Sequence, residues 1–283
     1  MMMKLKSWRP YLTVFRLRAL METQYRAAAL GGLVTQVFFG LVYIFLYTTL
    51  YAGESPEMLR PTITYDWQQQ MFFRMMFSAD GELTNLIMSG GVAYMLVRPV
   101  DQHRFWVCRD VGGRLVGALM RLIPMVAIQF ILPKELRIAL PDGWLSLVQF
   151  VFSLLIGCVC LCELISIIDA INMKTLDKRG ISAILTLTMM TFSGNVIPLT
   201  LFPDKRQTLI RNQPFAQALD APIRMYQNCA SLQEWLLNAA VQVAWIFILR
   251  AIGRAMWQKR LDNMIVQGGG GHEILDSRGE DAL

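Results

Sequence analysis

The 283-residue chain is 54% hydrophobic and only 17% charged, with a formal net charge of +6. Soluble domains carry about 45–50% apolar and about 25% charged residues, and here the apolar residues gather in long uncharged runs, which excludes a water-soluble globular body. The positive balance fits the Lys and Arg excess of inner membrane loops and argues against a nucleic-acid partner.

Residues 1–26 are basic through Lys4, Lys6, Arg9, Arg16 and Arg18, with Leu12, Phe15, Leu17, Leu20 and Met21 between them. This pattern predicts an amphipathic helix on the inner membrane surface. It lacks the compact apolar core and small-residue cleavage site of a signal peptide. Residues 27–53 hold no charge and form the first span, since about 20 apolar residues cross a bilayer core. The second span, 62–79, carries Trp67, Gln68, Gln69, Gln70 and Arg74, so it is expected to face protein or a water-filled cavity rather than lipid.

Residues 80–102 do not read as a span. Asp80 is placed to cap a short helix, Leu83, Leu86 and Ile87 recur on one face, Gly90-Gly91 breaks it, and Arg98-Pro99 ends the segment. A helix–helix connection needs only about 2–8 residues, so two readings fit: a surface helix bracing the bundle, or a docking element for a cytoplasmic partner. Arg98 is suited to carboxylates, loop carbonyls or lipid phosphate.

The remaining spans are predicted over 110–133, 144–168, 180–202 and 232–253. A polar loop is expected over 203–231, and His103 is read as a loop residue. A flexible tail, 257–283, closes the chain with its Gly268–Gly271 run and acidic end. Residues 27–256 thus make one six-helix membrane domain. The basic residues concentrate in the segments that face inward when both termini are cytoplasmic.

Cys158, Cys160 and Cys162 lie in an apolar run at spacings of two, poor geometry for a shared metal, and read as packing residues. No phosphate-binding loop, zinc-protease helix or nucleophile elbow occurs. No catalytic residue and no metal site is assigned. Two intramembrane charges remain, Arg74 and Glu163, at similar depth toward the inner face. They either pair and orient helices or line a substrate path. Trp67, Gln70, Arg74, Glu163 and Phe192 are the candidates for such a path.

The sequence resembles the permease subunits of ABC exporters of the ABC-2 class, in the six-span branch encoded with an ATPase and often a second permease. The likeness rests on Glu82-Leu83-x-x-Leu86-Ile87-x-Ser89-Gly90-x-Val92-Ala93-Tyr94-x-Leu96-x-Arg98-Pro99-Val100-Asp101, followed by Arg109, Arg114 and Arg121-x-x-Pro124. It continues in Ser193-Gly194-x-x-Ile197-Pro198-Leu199 with Phe202-Pro203-Asp204, then Pro214-Phe215, Pro222, Arg224-x-Tyr226 and Val266-Gln267-Gly268-Gly269. Met95 departs from it, standing where an acidic residue is expected, and Arg74 is an unusual charge for the second span.

The resemblance implies an all-α permease that dimerises with itself or a sister protomer and seats on a cytoplasmic ABC ATPase dimer. ATP and Mg would be held by that partner and no cofactor by this chain. It implies coupling through Asp80, Glu82, Leu86, Ile87, Gly90, Gly91, Arg98, Pro99 and Asp101. It also implies a re-entrant outer gate around Pro198, Phe202, Pro203 and Asp204, location in the bacterial plasma membrane, and export of amphipathic drugs, peptides, lipophilic cations or lipid-like molecules. The alternative is a membrane-embedded enzyme or scaffold that needs no ATPase.

Overall fold

A computed structural model of the chain describes residues 8–24, 26–52, 56–76, 81–175, 180–195, 199, 204–228 and 230–262. Among these the protein is helical, without strands. In chain order the helices are α1 (Arg9–Gln24), α2 (Arg26–Leu50), α3 (Pro56–Met76), α4 (Glu82–Met88), α5 (Val92–Leu96) and α6 (Gln102–Gln129). They continue with a 3-10 turn (Lys134–Leu136), α7 (Trp144–Thr175), α8 (Gly180–Phe192), α9 (Asp204–Arg211), α10 (Pro214–Gln227) and α11 (Leu232–Asp262).

Four helices are long and apolar enough to cross a membrane among the described residues: α2 from Leu30, α6, α7 to Lys174, and α11. The other two expected spans differ for physical reasons. Helix α3 has the length, but Thr62, Thr64, Asp66 and Gln68–Gln70 make it polar, and residues 62–72 are buried on every side. A polar helix is tolerated at membrane depth when protein surrounds it. Helix α8 covers only Gly180–Phe192.

Helix α1 lies along the first half of α6, with Phe15 over Gly112 and the Tyr11 hydroxyl accepting the Asp101 N–H at 3.1 Å. Its Leu12, Leu17 and Leu20 remain exposed, as an amphipathic surface helix requires. The break between α4 and α5 falls at Gly90, whose φ of 73° is a left-handed conformation that glycine adopts without steric cost. Helix α6 starts earlier than the predicted third span, because the Asp101 side chain caps it by accepting the Arg104 N–H at 3.2 Å. His103, read as a loop residue, is therefore in the first turn of α6 and is buried.

The stretch 203–231, expected as a polar loop, holds α9 and α10 instead. Pro214 opens α10, where a missing N–H is harmless. Helix α10 runs antiparallel to α7, from Pro214 beside Cys160 to Met225 and Tyr226, whose carbonyls both accept from the Ser146 hydroxyl at 2.7 and 2.8 Å. Trp245 of α11 donates to the Asn212 carbonyl at 2.7 Å, and Gln242 donates to that of Gln217 at 2.7 Å. Trp245 is about 20 Å along α11 from Leu232 at ~1.5 Å per residue, so the 212–217 segment reaches deep into the bundle.

Candidate functional site

Three polar constellations stand out, one at the surface where α1, α4 and α6 meet and two in the interior. At the surface, Leu83 of α4 is buried while Leu86 and Ile87 are half-buried against Trp106, Ala170 and Trp257, which seats the short helix on α6, α7 and α11. Glu82, at the exposed start of α4, pairs with Arg109 of α6 and faces Arg18 of α1 at 3.9 Å. Arg109 also bonds Asp110 at 3.0 Å and stacks over the Trp106 ring at 4.8 Å. Arg18 holds Glu22 at 3.2 Å. One carboxylate thus links the surface helix, the short helix and the long α6.

The outer side of this element is open. Met88, Tyr94 and Val97 are 68%, 79% and 80% exposed, and Arg98 and Pro99 are exposed beside them. Single exposed apolar residues are ordinary, but a group of them beside charged residues marks an interaction surface. Of the predicted coupling residues, Glu82, Leu86, Ile87, Gly90, Gly91, Arg98, Pro99 and Asp101 lie on this continuous surface segment, and Asp80 lies outside the described residues. Met95, at the position expected to be acidic, is buried. Its carbonyl accepts the Gln102 amide at 2.6 Å and its Sδ accepts the Trp106 indole N–H at 3.1 Å. That packing leaves no room for a charge there.

The first interior cluster centres on Glu163 of α7, which has no exposed surface. Its Oε1 accepts Arg250 Nε of α11 at 2.7 Å, and its Oε2 lies 3.3 Å from His103 Nε2 of α6. Ser166 donates its hydroxyl to the Glu163 carbonyl at 3.1 Å and sits 2.9 Å from His103 Nε2, so that nitrogen is the donor. Trp257 donates to the Ser166 carbonyl at 2.8 Å and meets the His103 ring edge-on. The expected partner Arg74 lies in α3, with its side chain outside the described residues, while the observed partners of Glu163 come from α6 and α11.

The second interior cluster joins α3 to α10. Tyr65 donates to Asp220 Oδ1 at 3.0 Å, and Arg224 donates to Asp220 Oδ2 at 2.7 Å. Asn195, just past α8, donates to Gln69 at 3.3 Å. Asp66 is buried without a basic partner among these contacts, and its Oδ2 accepts no hydrogen bond. Of the predicted path residues, Trp67 is fully buried and donates to the Leu136 carbonyl at 2.7 Å. Gln70 and Glu163 are also interior, whereas Phe192 is half exposed against Phe215 at 6.3 Å. Pro198, Phe202 and Pro203 lie outside the described residues, as does the Asp204 side chain, although Asp204 itself starts α9.

Sequence reasoning passed over His103, Asp66, Asp220 and Arg250. The i, i+4 spacing of Asp220 and Arg224 was a helical signal inside the supposed loop. His103 was recoverable from the capping Asp101 two positions earlier.

A family model described as "ABC-2 family transporter protein" matches residues 32–268. No curated protein matches the chain.

Proposed function

The chain belongs to the ABC-2 transporter family, and from that premise we propose that it is the permease subunit of an ATP-driven exporter. It is a multi-pass membrane component of a transporter. Hydrolysis then falls to a separate ABC ATPase dimer that binds ATP and Mg. Two permeases, identical or sister protomers, enclose the path for an amphipathic drug, peptide, lipophilic cation or lipid-like molecule. The membrane is the bacterial plasma membrane, with both termini in the cytoplasm.

The observation that carries the coupling role is the Glu82 hub. Glu82 joins α4 to Arg109 of α6 and faces Arg18 of α1, in the same surface segment as the exposed Met88, Tyr94 and Val97. An ATPase that pushes on this face moves α1, α4 and α6 together, and α6 carries the displacement into the membrane. Asp101 and Arg254, 3.3 Å apart, pass part of it to α11. At the other face, α9 and α10 form a re-entrant segment that closes the path, latched to α3 through Tyr65, Asp220 and Arg224.

The test is co-purification with an ABC ATPase and assay of its stimulation. Glu82→Lys places a cation between Arg18 and Arg109. We expect it to leave insertion intact while lowering stimulation about tenfold, the effect of ~1.4 kcal/mol of lost coupling. Normal stimulation by the variant removes the coupling role. A chain that purifies alone and turns over a substrate unaided removes the transporter reading.

A further inference from the structure

A cleft of about 360 Å³ opens between the α5–α6 junction and the C-terminal turns of α11, with Arg98, Asp101, Gln102, His103 and Arg254 among its lining residues. Its size falls within the ~300–1,000 Å³ range of small-ligand sites. Three of its lining residues each hold a buried polar atom with no hydrogen-bond partner: Gln102 Oε1, His103 Nδ1 and Arg254 Nε. Gln102 and His103 are 7% and 2% exposed. Buried polar atoms without partners cost free energy unless a ligand satisfies them.

The chemistry of these atoms is specific. The Ser166 hydroxyl, which donates to the Glu163 carbonyl, accepts from His103 Nε2, and this leaves Nδ1 as the acceptor of the ring. Gln102 Nε2 already donates to the Met95 carbonyl, so its free Oε1 is a second acceptor. Asp262 adds a carboxylate to the lining. The donors are Arg254 Nε and the exposed Arg98 guanidinium. The cleft therefore offers acceptors for an N–H-bearing cation and guanidinium groups for a phosphate.

Depth identifies the source of such a ligand. Trp257, in the cleft wall, is about 38 Å along α11 from Leu232 at ~1.5 Å per residue. A bilayer has about 30 Å of hydrocarbon and about 40–45 Å including headgroups. The cleft thus opens at the inner headgroup layer. We propose that it binds the headgroup of a primary-amine phospholipid. The phosphate sits between Arg98 and Arg254, and the ammonium donates to Gln102 Oε1, His103 Nδ1 and Asp262. A trimethylammonium headgroup has no N–H to give these acceptors and is excluded by the same geometry. The bound lipid bridges the coupling segment to α11 and stiffens that joint, a role independent of what the permease transports.

The test uses the purified full chain, delipidated in mild detergent and titrated with phosphatidylethanolamine, phosphatidylcholine, phosphatidylglycerol or inorganic phosphate, with native mass spectrometry as readout. Phosphatidylethanolamine should bind at least about tenfold more tightly than either other lipid, the effect of one charge-assisted hydrogen-bond set. Asp262→Asn, at an exposed position that spares the fold, should erase most of that preference, Arg98→Ala, also exposed, should weaken all three lipids alike because each carries the phosphate, and Glu234→Gln at the far end of α11 should change neither. Equal binding of phosphatidylcholine overturns the proposal, as does equal binding of phosphatidylglycerol, a preference untouched by Asp262→Asn, or an affinity untouched by Arg98→Ala. Displacement of the lipid by millimolar inorganic phosphate assigns the cleft to a soluble anion and overturns the lipid source.

Discussion

Glu163 places a carboxyl group in the interior, and its neighbours answer it from two other helices. Arg250 is 40% exposed at its side chain, so part of its charge is screened, whereas His103 is interior. Removing one partner of a buried pair strands the other. Glu163→Ala should therefore destabilise the protein by about 2–3 kcal/mol, at the low end of buried pairs because of the exposure of Arg250. Glu163→Gln keeps an acceptor for Arg250 Nε and should cost about 1 kcal/mol or less. Thermal unfolding of the purified chain in detergent measures both, and equal losses would show that the carboxylate charge contributes nothing. The charge itself was legible in the sequence as the single break in the 144–168 run. Its partners were not, since Arg250 lies 87 positions away and no local pattern links positions so distant. The same holds for Tyr65 and Asp220, 155 positions apart.

Among the elements, α10 differs most from its sequence reading. Two prolines, an aspartate and an arginine suggest a loop, yet every residue from Ala216 to Ile223 is buried. Tertiary contact overrides local polarity here. Pro222 has no N–H to give the Ala218 carbonyl, which is left without its helical partner. Helix α7 covers that carbonyl with Gly157, where a Cβ would sit 2.5 Å from the oxygen. The approach is set by backbone, which cannot swing aside as a long side chain could. Gly157→Ala should cost about 1–3 kcal/mol through overpacking, and Gly157→Val should prevent α10 from docking. The readout is thermal stability together with protease cleavage in the 204–228 segment, where Gly157→Val should become cut while the native chain is protected. A fully stable, protected Gly157→Val chain would mean that α7 and α10 do not touch there. The α4–α5 break was legible, by contrast, because Gly90-Gly91 acts locally and needs no distant partner.

At the scale of the molecule, contacts between chain-distant segments imply how often the backbone turns back. Tyr11 meets Asp101 and Arg18 faces Glu82, so α2 and α3 together return the chain to the end where α1 lies. At the opposite end Tyr226 donates to the Ala139 carbonyl at 3.0 Å and Gln227 donates to that of Pro61 at 2.8 Å. Between Ala139 and Tyr226 the chain therefore also leaves this end and returns to it, and α11 brings the chain back to the cleft beside Asp101. Among the described residues hydropathy marks four helices as candidate crossings, leaving out α3, which trades apolar surface for internal hydrogen bonds, and α8, which is short. Labelling introduced cysteines with a membrane-impermeant maleimide decides the count, in a chain with Cys108 and Cys229 changed to Ser and the buried Cys158, Cys160 and Cys162 retained. Trp8→Cys, Tyr94→Cys and Gln258→Cys should react only in inverted vesicles, and Leu140→Cys and Ser231→Cys only in right-side-out ones. If α3 stops short of crossing, Trp8 and Tyr94 label from opposite sides. If α8 with its following segment stops short, Leu140 and Ser231 do. Agreement within each group requires six crossings, two of them made by helices that a hydropathy profile does not register: α3, which carries Tyr65, Asp66 and Gln69, and α8, which leads into Asn195, the partner of Gln69.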